Sequence, residues 1–347
     1  MQIPPPPSRD PRILIFRALS LGDMLCVVPA LRALRGALPQ ARISLCGLAW
    51  AAEFAAHFPR YIDEFIEFPG YPGLTERSPD LFALPSFLKR MQDRRFDLAI
   101  QLHGSGRITN PLVASFGARR TAGHFEPGSF CPDAGYFLPY ADRKAEIWRH
   151  IELMTHLGFE PRGDHLEFHV GDDDDIRWQA VMDEKGIDPD LPLILLHPGA
   201  NAEWRRWPPS AFARLGDSLH EIGCQIGITG SRSEAGLVRK VTSAMKNEAH
   251  DLAGSTPGIG VLAAAIRHAS LLVSGDTGVA HLACAVDCPS VVIFMRSDQE
   301  GWPPLDRVRH RVVCRPGGVR PDDVIATALD VLDLARPRAG AAGAVAA

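Results

Sequence analysis

The sequence predicts an α/β protein built from two doubly wound, Rossmann-like domains, in each of which helices cover both faces of a parallel sheet. Short apolar runs of strand length alternate with amphipathic segments of helix length along nearly the whole chain. Strands and helices that alternate in this way form parallel sheets with right-handed crossovers. One polar and acidic stretch, residues 163–175, interrupts the alternation, and 347 residues suffice for two domains of ordinary size.

The first half of the chain contains four predicted strands, at residues 12–18, 41–46, 62–68 and 96–102. Helical spacing of apolar residues predicts one helix that ends at Leu38 and others at residues 49–58, 81–94 and 146–157. Pro29 lies inside the first of these patterns, and because proline cannot donate a backbone hydrogen bond, that helix should start late or kink. We assign residues 12–170 to an N-terminal domain, after a proline-rich tail at residues 1–11 that is expected to be disordered.

The second half repeats the alternation. Strands are predicted at residues 193–197, 225–229, 271–273 and 290–295, the last of which should close the sheet. Helices are predicted at residues 208–222, 233–246, 258–268, 277–286 and 322–334. Residues 176–335 form the predicted C-terminal domain, and residues 336–347 form a second disordered tail. Sheets of this kind bind ligands outside the carboxyl ends of their strands, so we expect the ligand in a cleft that the two domains face.

Composition excludes several classes of protein. The chain is 46% hydrophobic and 22% charged with a net charge of -4, so it has no overall basic character for binding nucleic acid. Its seven cysteines are scattered without CxxC spacing, which indicates reduced thiols in a cytoplasmic protein and neither a disulfide framework nor a zinc site. No apolar run has the length of a membrane span, and the N-terminus lacks the apolar region of a signal peptide. We therefore expect a soluble cytoplasmic protein.

Residues 270–285, SLLVSGDTGVAHLACA, join a buried strand to a helix through a glycine-bearing loop. The free N–H groups and the dipole of a helix N-terminus favour an anion. Thr277 adds a hydroxyl, and His281 lies one turn further along the helix. Alternatively, Asp276 only caps the helix and His281 is a structural histidine. This segment alone does not decide between the two interpretations.

Three more loops follow predicted strands and carry polar residues. In SLGD, Gly22 permits a close backbone approach and Asp23 presents a carboxylate where a general base would lie, although an N-cap would look the same. In HPGANAEWRRWP, Arg205 and Arg206 could bind phosphate oxygens bidentately, or they could form a solvated basic pair packed on tryptophan. TGSRSE, at residues 229–234, opens a helix with glycine and hydroxyl groups, as an ordinary turn also would.

Two further segments resemble known motifs. The run Asp172–Asp175 imitates a metal-binding DxD motif, but it precedes a helix, so a solvated run with one capping aspartate is the better interpretation. His103-Gly104-Ser105-Gly106-Arg107 lacks the third glycine of a dinucleotide fingerprint. It is either a plain turn or a loop in which His103, Arg107 and Asn110 bind a sugar or phosphate. The thirteen histidines include no HExxH, so no metal site is predicted.

Taken in order, four segments resemble glycosyltransferase family 9, the ADP-heptose:lipopolysaccharide heptosyltransferases. They are RILIFRALSLGDMLCVVPALRALR, HPGANAEWRRWPPSAFARL, GITGSRSE and SGDTGVAHLACAVDCPSVVIF, and together they span nearly the whole chain outside its tails. The resemblance implies a GT-B architecture, with the donor bound mainly by the C-terminal domain and the acceptor by the N-terminal one. It also implies inversion at the anomeric carbon, no obligatory metal and no cofactor.

The resemblance also implies roles for single residues. The family's catalytic base falls on Asp23, and its Lys-Arg-Trp-Pro segment falls on Arg205–Pro208, so that Arg205 replaces the lysine. Its DTG motif and the following histidine, which hold the diphosphate and ribose side of the donor, fall on Asp276, Thr277, Gly278 and His281. The donor set is completed by Arg206, Thr229, Gly230 and Glu234. The acceptor side is assigned to Ser20, Gly22, His103 and Arg107.

The expected activity is inverting transfer of heptose or a related sugar from a nucleotide-diphosphate sugar, with ADP-heptose as the family's donor, to a lipopolysaccharide-core or other glycan. Such an enzyme is cytoplasmic and can contact the inner face of the membrane. Two alternatives are a non-catalytic nucleotide-sugar-binding protein of the same fold and a nucleotide-sugar epimerase. The epimerase would need further carboxylates or histidines that these motifs do not supply, and the presence of Asp23 argues against a mere binder.

Overall fold

The computed structural model describes residues 10–295 and 304–335. The chain divides into two compact units, and the boundary in the sequence lies between His169 and Val170. Each unit contains one six-stranded sheet in which every neighbouring pair of strands is parallel. The predicted α/β class, with two doubly wound sheets, is confirmed. Within the described residues, no helix combines the length and apolar character needed to cross a membrane.

Unit 1, the N-terminal unit, has strands β1 (Arg12–Phe16), β2 (Arg42–Gly47), β3 (Glu64–Glu67), β4 (Leu98–Gln101), β5 (Arg120–Phe125) and β6 (Phe137–Pro139). Its helices are α1 (Leu21–Cys26), α2 (Val28–Ala37), α3 (Ala51–Ala56), α4 (Leu84–Asp93), α5 (Thr109–Ala114) and α6 (Glu146–His156). The strand order is β3-β2-β1-β4-β5-β6, that of the classical dinucleotide-binding fold.

The core of unit 1 is rich in phenylalanine. Phe16, the last residue of β1, packs edge-on against Phe68 and Phe116, and Phe87 of α4 contacts both of these rings. These four side chains are almost completely buried. Pro29 has the predicted effect, because the helix breaks at Val27 and resumes as α2 with the proline in its first turn, where no intrahelical donor is needed. As a result, Asp23 lies on a separate helix of six residues.

Unit 2, the C-terminal unit, has strands β7 (Leu193–His197), β8 (Gln225–Gly230), β9 (His250–Ala253), β10 (Leu271–Gly275), β11 (Ser290–Ile293) and β12 (His310–Val313). Its helices are α7 (Asp172–Lys185), α8 (Pro209–His220), α9 (Ala235–Thr242), α10 (Gly258–His268), α11 (Gly278–Ala285) and α12 (Pro321–Ala335). The order β12-β11-β10-β7-β8-β9 repeats, strand for strand, the topology of unit 1.

The structure corrects two of the predicted boundaries. The acidic run is not part of a linker that ends at residue 175, because Asp172–Asp175 form the first turn of α7. There Asp174 accepts a hydrogen bond from the N–H of Gly171 at 3.0 Å, and Asp175 pairs with Arg267. In addition, β11 does not close the sheet, because β12 pairs with it in parallel and forms the edge.

Four strands escaped prediction, namely β5, β6, β9 and β12. Each lies in an outer position of its sheet. Their sequences, RTAGHF, FLP, HDLA and HRVV, are short or mix polar with apolar residues, since an outer strand is buried less completely than a central one. Each sheet therefore has two more strands than the apolar runs indicate.

Candidate functional site

The candidate residues of each unit lie where its strand order reverses. In unit 1 this point lies between β1 and β4, and in unit 2 it lies between β7 and β10. Loops that leave the carboxyl ends of two such strands run in opposite directions and leave a crevice in which doubly wound sheets bind their ligands. The segments SLGD and HGSGR flank the crevice of unit 1, and HPGANAEWRR and DTG flank that of unit 2.

Helix α11 begins at this crevice in unit 2, directly after the loop that follows β10. Thr277 is its N-cap residue, in an extended conformation (φ -146°, ψ 169°), and Gly278 is its first residue. The alternative that Asp276 caps the helix is therefore wrong. Asp276 is 6% exposed, and its Oδ2 lies 3.8 Å from Nη1 of Arg205, which comes from the loop after β7. The two segments thus meet at the helix N-terminus.

Three side-chain atoms at this point are buried and have no hydrogen-bond partner: Arg205 Nε, Asp276 Oδ2 and Thr277 Oγ1. A buried polar atom left without a partner costs about 1–3 kcal/mol, which is why native proteins keep few of them. Here three such atoms lie on two loops that meet. Arg205 Nε is a donor, Asp276 Oδ2 is an acceptor, and the Thr277 hydroxyl can be either. This arrangement is expected of a binding site for a polar ligand.

Glu234 lies beside the neighbouring loop. Its Oε2 accepts hydrogen bonds of 2.8 Å from both the N–H and the hydroxyl of Ser231. Burial raises the pKa of the Glu234 carboxyl, but these bonds and the charges of His197 and Arg206 outweigh it, and the net pKa is lower than usual. Oε1 lies against Gly199, where an added Cβ atom would come within 2.1 Å of it, so a larger residue there would displace the carboxylate. The carboxylate is thus ionised and has one oxygen outside the turn.

The remaining residues of the predicted donor set are mostly buried nearby. Thr229, at the end of β8, is within 3.0 Å of Nδ1 of His197, and burial lowers the pKa of that histidine while Glu234 opposes the shift. Arg206 donates from Nε and Nη2 to the carbonyl of Ala200 at 3.1 and 2.9 Å, so it shapes the loop after β7. His281 is 7% exposed on α11.

Asp23 is the central residue of the candidate site in unit 1. It is the third residue of α1, and its Oδ2 accepts hydrogen bonds from the N–H of Ser20 at 3.1 Å and from the Ser20 hydroxyl. Ser20 is therefore the N-cap residue and Asp23 the N3 residue of a capping box, so the alternative that Asp23 itself is the N-cap is wrong. The Asp23 side chain is 18% exposed, however, and Oδ1 accepts neither of these bonds. Gly22 is buried beneath it.

A fully buried arginine lies behind Asp23. The Arg17 guanidinium donates from Nε to the Asp23 carbonyl at 2.9 Å, and its Nη2 lies 3.6 Å from Asp23 Oδ1. Nη2 also donates to Glu146 Oε1 at 3.0 Å, and Nη1 donates to the carbonyl of Leu102. Burial lowers the pKa of Arg17 and the Asp23 carboxylate opposes that shift. An arginine nevertheless stays charged at neutral pH.

His103 joins the two sides of the crevice in unit 1. Its Nδ1 accepts the N–H of Ala18 at 3.2 Å, which places the ring proton of the neutral imidazole on Nε2, 3.5 Å from Glu76 Oε1. The hydrogen bond to His103 lowers the pKa of Glu76. Ser20, Gly22, Asp23 and His103 are thus brought together, whereas Arg107 is exposed on the loop and makes none of these contacts.

Sequence reasoning missed Arg17, Glu146 and Glu76. Arg17 had a signal, since it is the one charged residue in the apolar run from Ile13 to Ala18, and a charge there needs a buried partner. Glu146 and Glu76 had none, because their roles arise from contacts with distant parts of the chain. Among residues 10–295 and 304–335, no three His, Cys, Asp or Glu side chains are grouped in a way that could hold a metal ion.

Comparison with known proteins assigns a family. The model of glycosyltransferase family 9 (heptosyltransferase) matches residues 85–322, a range that contains the candidate residues of unit 2 but not Asp23. The lipopolysaccharide heptosyltransferase 2 of Escherichia coli K12 is 23% identical over 311 residues, which are 85% of this chain and 85% of that protein. The lipopolysaccharide heptosyltransferase 3 of the same strain is 21% identical, over 82% of each chain.

Solved structures share the fold. A family 9 glycosyl transferase from Veillonella parvula superposes with a TM-score of 0.79 at 21% identity, over 94% of this chain and 100% of that one. E. coli heptosyltransferase WaaC, solved with ADP-2-deoxy-2-fluoro heptose, superposes with a TM-score of 0.66 at 18% identity. The superposition covers 92% of this chain and 97% of that one. The resemblance to this family is thus confirmed, and the chain belongs to glycosyltransferase family 9, the heptosyltransferase family, and is a glycosyltransferase.

Proposed function

We propose that the protein transfers a heptosyl group from ADP-heptose to a hydroxyl group of a lipopolysaccharide-core acceptor, with inversion at the anomeric carbon. In this proposal unit 2 binds the donor and unit 1 binds the acceptor, with Asp23 as the general base. A lipid-linked acceptor would bring the protein to the inner face of the membrane during turnover. The observation that carries the proposal is the group of unpartnered buried atoms on Arg205, Asp276 and Thr277.

These three residues suit a diphosphate joined to a sugar. The Arg205 guanidinium and the Thr277 hydroxyl can donate to phosphate oxygens, as can the free N–H groups at the start of α11. A carboxylate only accepts hydrogen bonds, so Asp276 suits a hydroxyl of the donor and not its phosphates. Its position 3.8 Å from Arg205 would also hold the guanidinium in place. Glu234 Oε1 can likewise accept from a ribose hydroxyl.

The proposed chemistry is a single displacement. The acceptor oxygen attacks the anomeric carbon, its proton passes to Asp23, and the bond from that carbon to the phosphate oxygen breaks on the opposite face. The electron pair of this bond leaves with ADP, whose added negative charge is stabilised by Arg205 and the N-terminus of α11. Asp23 Oδ1 would be the oxygen that receives the proton, because Ser20 occupies Oδ2.

The donor half of the proposal is tested by thermal shift with ADP, UDP, GDP and CDP, each with and without magnesium. A ligand that binds only the folded state raises the melting temperature. We expect ADP to stabilise the protein most, with no requirement for magnesium, and Arg205→Met to reduce the shift. Arg214→Met, an exposed arginine of the same unit that pairs with Asp322, is the matched control. A lack of response to every nucleotide would contradict the donor site.

The catalytic half is tested with Asp23→Asn, which preserves shape and removes the base. ADP release from ADP-heptose is measured with a deacylated lipopolysaccharide inner-core oligosaccharide as acceptor. We expect a loss of activity of at least about 100-fold, the lower end of the range for a general base, with an unchanged ADP-induced thermal shift. A variant that binds ADP and keeps wild-type turnover would refute the role of Asp23. A wild type that binds ADP without any turnover would favour a non-catalytic binder.

A further inference from the structure

We propose that Arg17 is the positioning residue for Asp23, and that Glu146 keeps Arg17 in place. This inference rests on the role of Asp23 in the proposed function and extends it to residues that do not themselves contact a substrate. It would make a buried charge network, formed by Arg17, Glu146, Arg149 and His150, part of the machinery of transfer.

Burial of the Arg17 guanidinium costs free energy that the surrounding residues must offset. The Arg17 side chain is 0% exposed at the end of an apolar strand, and a buried charge is tolerated only when it is paired and hydrogen-bonded. A leucine or methionine would fill such a position without that cost. Instead, the three guanidinium nitrogens of Arg17 each donate a hydrogen bond, to the carbonyls of Asp23 and Leu102 and to the carboxylate of Glu146. It therefore joins α1, the loop after β4 and α6.

Asp23 is held through both its backbone and its side chain. The bond to its carbonyl fixes the backbone of the short helix α1, and the bonds from Ser20 fix Oδ2. Arg17 Nη2 faces the other oxygen, Oδ1, at 3.6 Å, which is close enough for charge attraction but longer than a normal hydrogen bond. This spacing stabilises the carboxylate without occupying the lone pairs that a substrate proton needs.

The charge of Arg17 is shared. Glu146 is 5% exposed and accepts from Arg17 on Oε1 and from Arg149 on Oε2, and Nε2 of His150 lies 3.1 Å from Oε1. Burial, together with the charges of Arg17 and Arg149, lowers the pKa of His150 well below its usual value, so this imidazole is neutral. Two cations thus balance two carboxylates, Asp23 and Glu146. Tyr140 stacks under Arg149, and His124 lies beside His150, with its pKa lowered to about 3, mainly by burial.

Because Asp23 and Glu146 share the charge of Arg17, substitutions of Arg17 and of Glu146 should shift the protonation of Asp23 in opposite directions. Removing the cation, in Arg17→Met, leaves the Asp23 carboxylate less stabilised, so it should take up a proton at higher pH. In Glu146→Gln the competing carboxylate is removed, so the Arg17 charge interacts with Asp23 alone. The Asp23 carboxylate should then take up a proton only at lower pH. Arg17→Lys keeps the charge but cannot reach three separate acceptors, so it should impair orientation more than charge.

The test combines a titration with kinetics. The pH midpoint of the Asp23 side-chain carbon is followed by NMR on protein with ¹³C-labelled aspartate, with Asp23→Asn to assign the signal. Turnover of ADP-heptose is measured with the same oligosaccharide acceptor as above. We expect the midpoint to rise in Arg17→Met and to fall in Glu146→Gln, and kcat of Arg17→Lys to drop about 10- to 100-fold with little change in KM. The control is Arg35→Lys, an arginine of α2 that is bonded to Asp63.

Unchanged midpoints in both charge variants, or a wild-type kcat in Arg17→Lys, would overturn the positioning role. If the Arg17 variants fail to fold, Glu146→Gln decides alone, because it preserves side-chain shape. The ADP-induced thermal shift should stay at the wild-type value in every variant that folds. Full activity of Asp23→Asn would overturn the proposed base and this inference together. An inactive Asp23→Asn with unaltered Arg17→Lys and Glu146→Gln would overturn this inference alone.

Discussion

The hydroxyl of Thr277 is buried at the N-terminus of α11 without a hydrogen-bond partner. Such a group destabilises the free protein by about 1–3 kcal/mol, and this cost is recovered only when a ligand supplies the missing partner. Asp276, the preceding residue, and Arg205, on the loop after β7, each have one buried side-chain atom without a hydrogen-bond partner as well. Stability and binding should therefore respond in opposite directions to a change at this position.

We expect Thr277→Val, which keeps the shape and removes the hydroxyl, to raise the melting temperature of the free protein and to weaken ADP binding about 10-fold. Thermal unfolding without ligand and calorimetric titration with ADP measure the two effects. Thr327→Val is the control, because the hydroxyl of Thr327 donates to the carbonyl of Asp323 and has its partner within the protein. A variant that is destabilised, or that binds ADP as the wild type does, would contradict the assignment.

Two buried histidines in unit 1 make its stability depend on pH. Burial, with further contributions from His150 and Arg149, lowers the pKa of His124 from 6.5 to about 3, and the pKa of His150 is lowered as well. As pH falls below 6.5, the unfolded chain binds protons that the folded unit excludes, so stability is lost between about 6.5 and 3.

Between pH 6 and 5, where the carboxylates remain ionised, we expect a loss of about 1.4 kcal/mol per pH unit for each of the two histidines. Urea unfolding at a series of pH values measures the slope, which should become shallower in His124→Asn. His165→Gln, a change at an exposed position, should leave it as it is. A wild type with no slope in this interval would show that these histidines are protonated in the folded state.

At the scale of elements, the start of α7 explains the acidic run that imitates a metal motif. Asp174 is the third residue of the helix and accepts the N–H of Gly171, and aspartates in a first turn also interact favourably with the helix dipole. The run is thus accounted for by helix formation.

We expect Asp174→Ala to destabilise unit 2 by about 1 kcal/mol through the loss of this cap. Asp173→Ala, one residue earlier and exposed, should change stability by no more than about 0.5 kcal/mol. Thermal unfolding of the two variants side by side measures the difference. Neither should alter turnover of ADP-heptose or create a magnesium dependence, and a large loss of activity in Asp173→Ala would instead indicate that the run binds a metal.

The sequence predicted the central elements and the motif loops better than the outer strands. Strands β1, β7 and β10 are buried on both faces and read as continuous apolar runs, whereas β9 and β12 lie at edges where only part of each strand is covered. The loops around Asp23, Arg205 and Thr277 were found because their position after central strands has a known chemical meaning. The Arg17–Glu146 pair was not found, because nothing local to either residue specifies the other.

At the scale of the molecule, each unit has a hydrophobic core of its own. In unit 1 the core surrounds Phe16 and Phe116, and in unit 2 it surrounds Trp207 and Phe212, with the indole N–H of Trp207 donating to the carbonyl of Val319 at 3.0 Å. A core and a complete six-stranded sheet are what an independently folding domain requires.

We therefore expect residues 170–335, expressed alone, to unfold cooperatively and to bind ADP with an affinity within about 10-fold of the whole chain. Residues 10–169 should also fold but should show no ADP-induced shift, because every proposed donor residue belongs to unit 2. Circular dichroism melts and the nucleotide thermal shift test both fragments. If only the N-terminal fragment bound ADP, the proposed assignment of the donor to unit 2 and the acceptor to unit 1 would be wrong.

The contact between Arg17 and Glu146 spans 129 positions of the chain. During synthesis Arg17 is translated early, whereas Glu146 is translated only near the end of unit 1. Domains generally fold as units in the order of synthesis. Until α6 has emerged, the guanidinium at the end of β1 lacks its hydrogen-bonded carboxylate, Glu146, and has only Asp23 beside it, so burial of its charge is incompletely compensated. We therefore expect the nascent unit to stay accessible to chaperones and proteases until its last helix has been translated, so that the pace of translation through that helix sets how long the growing chain is vulnerable.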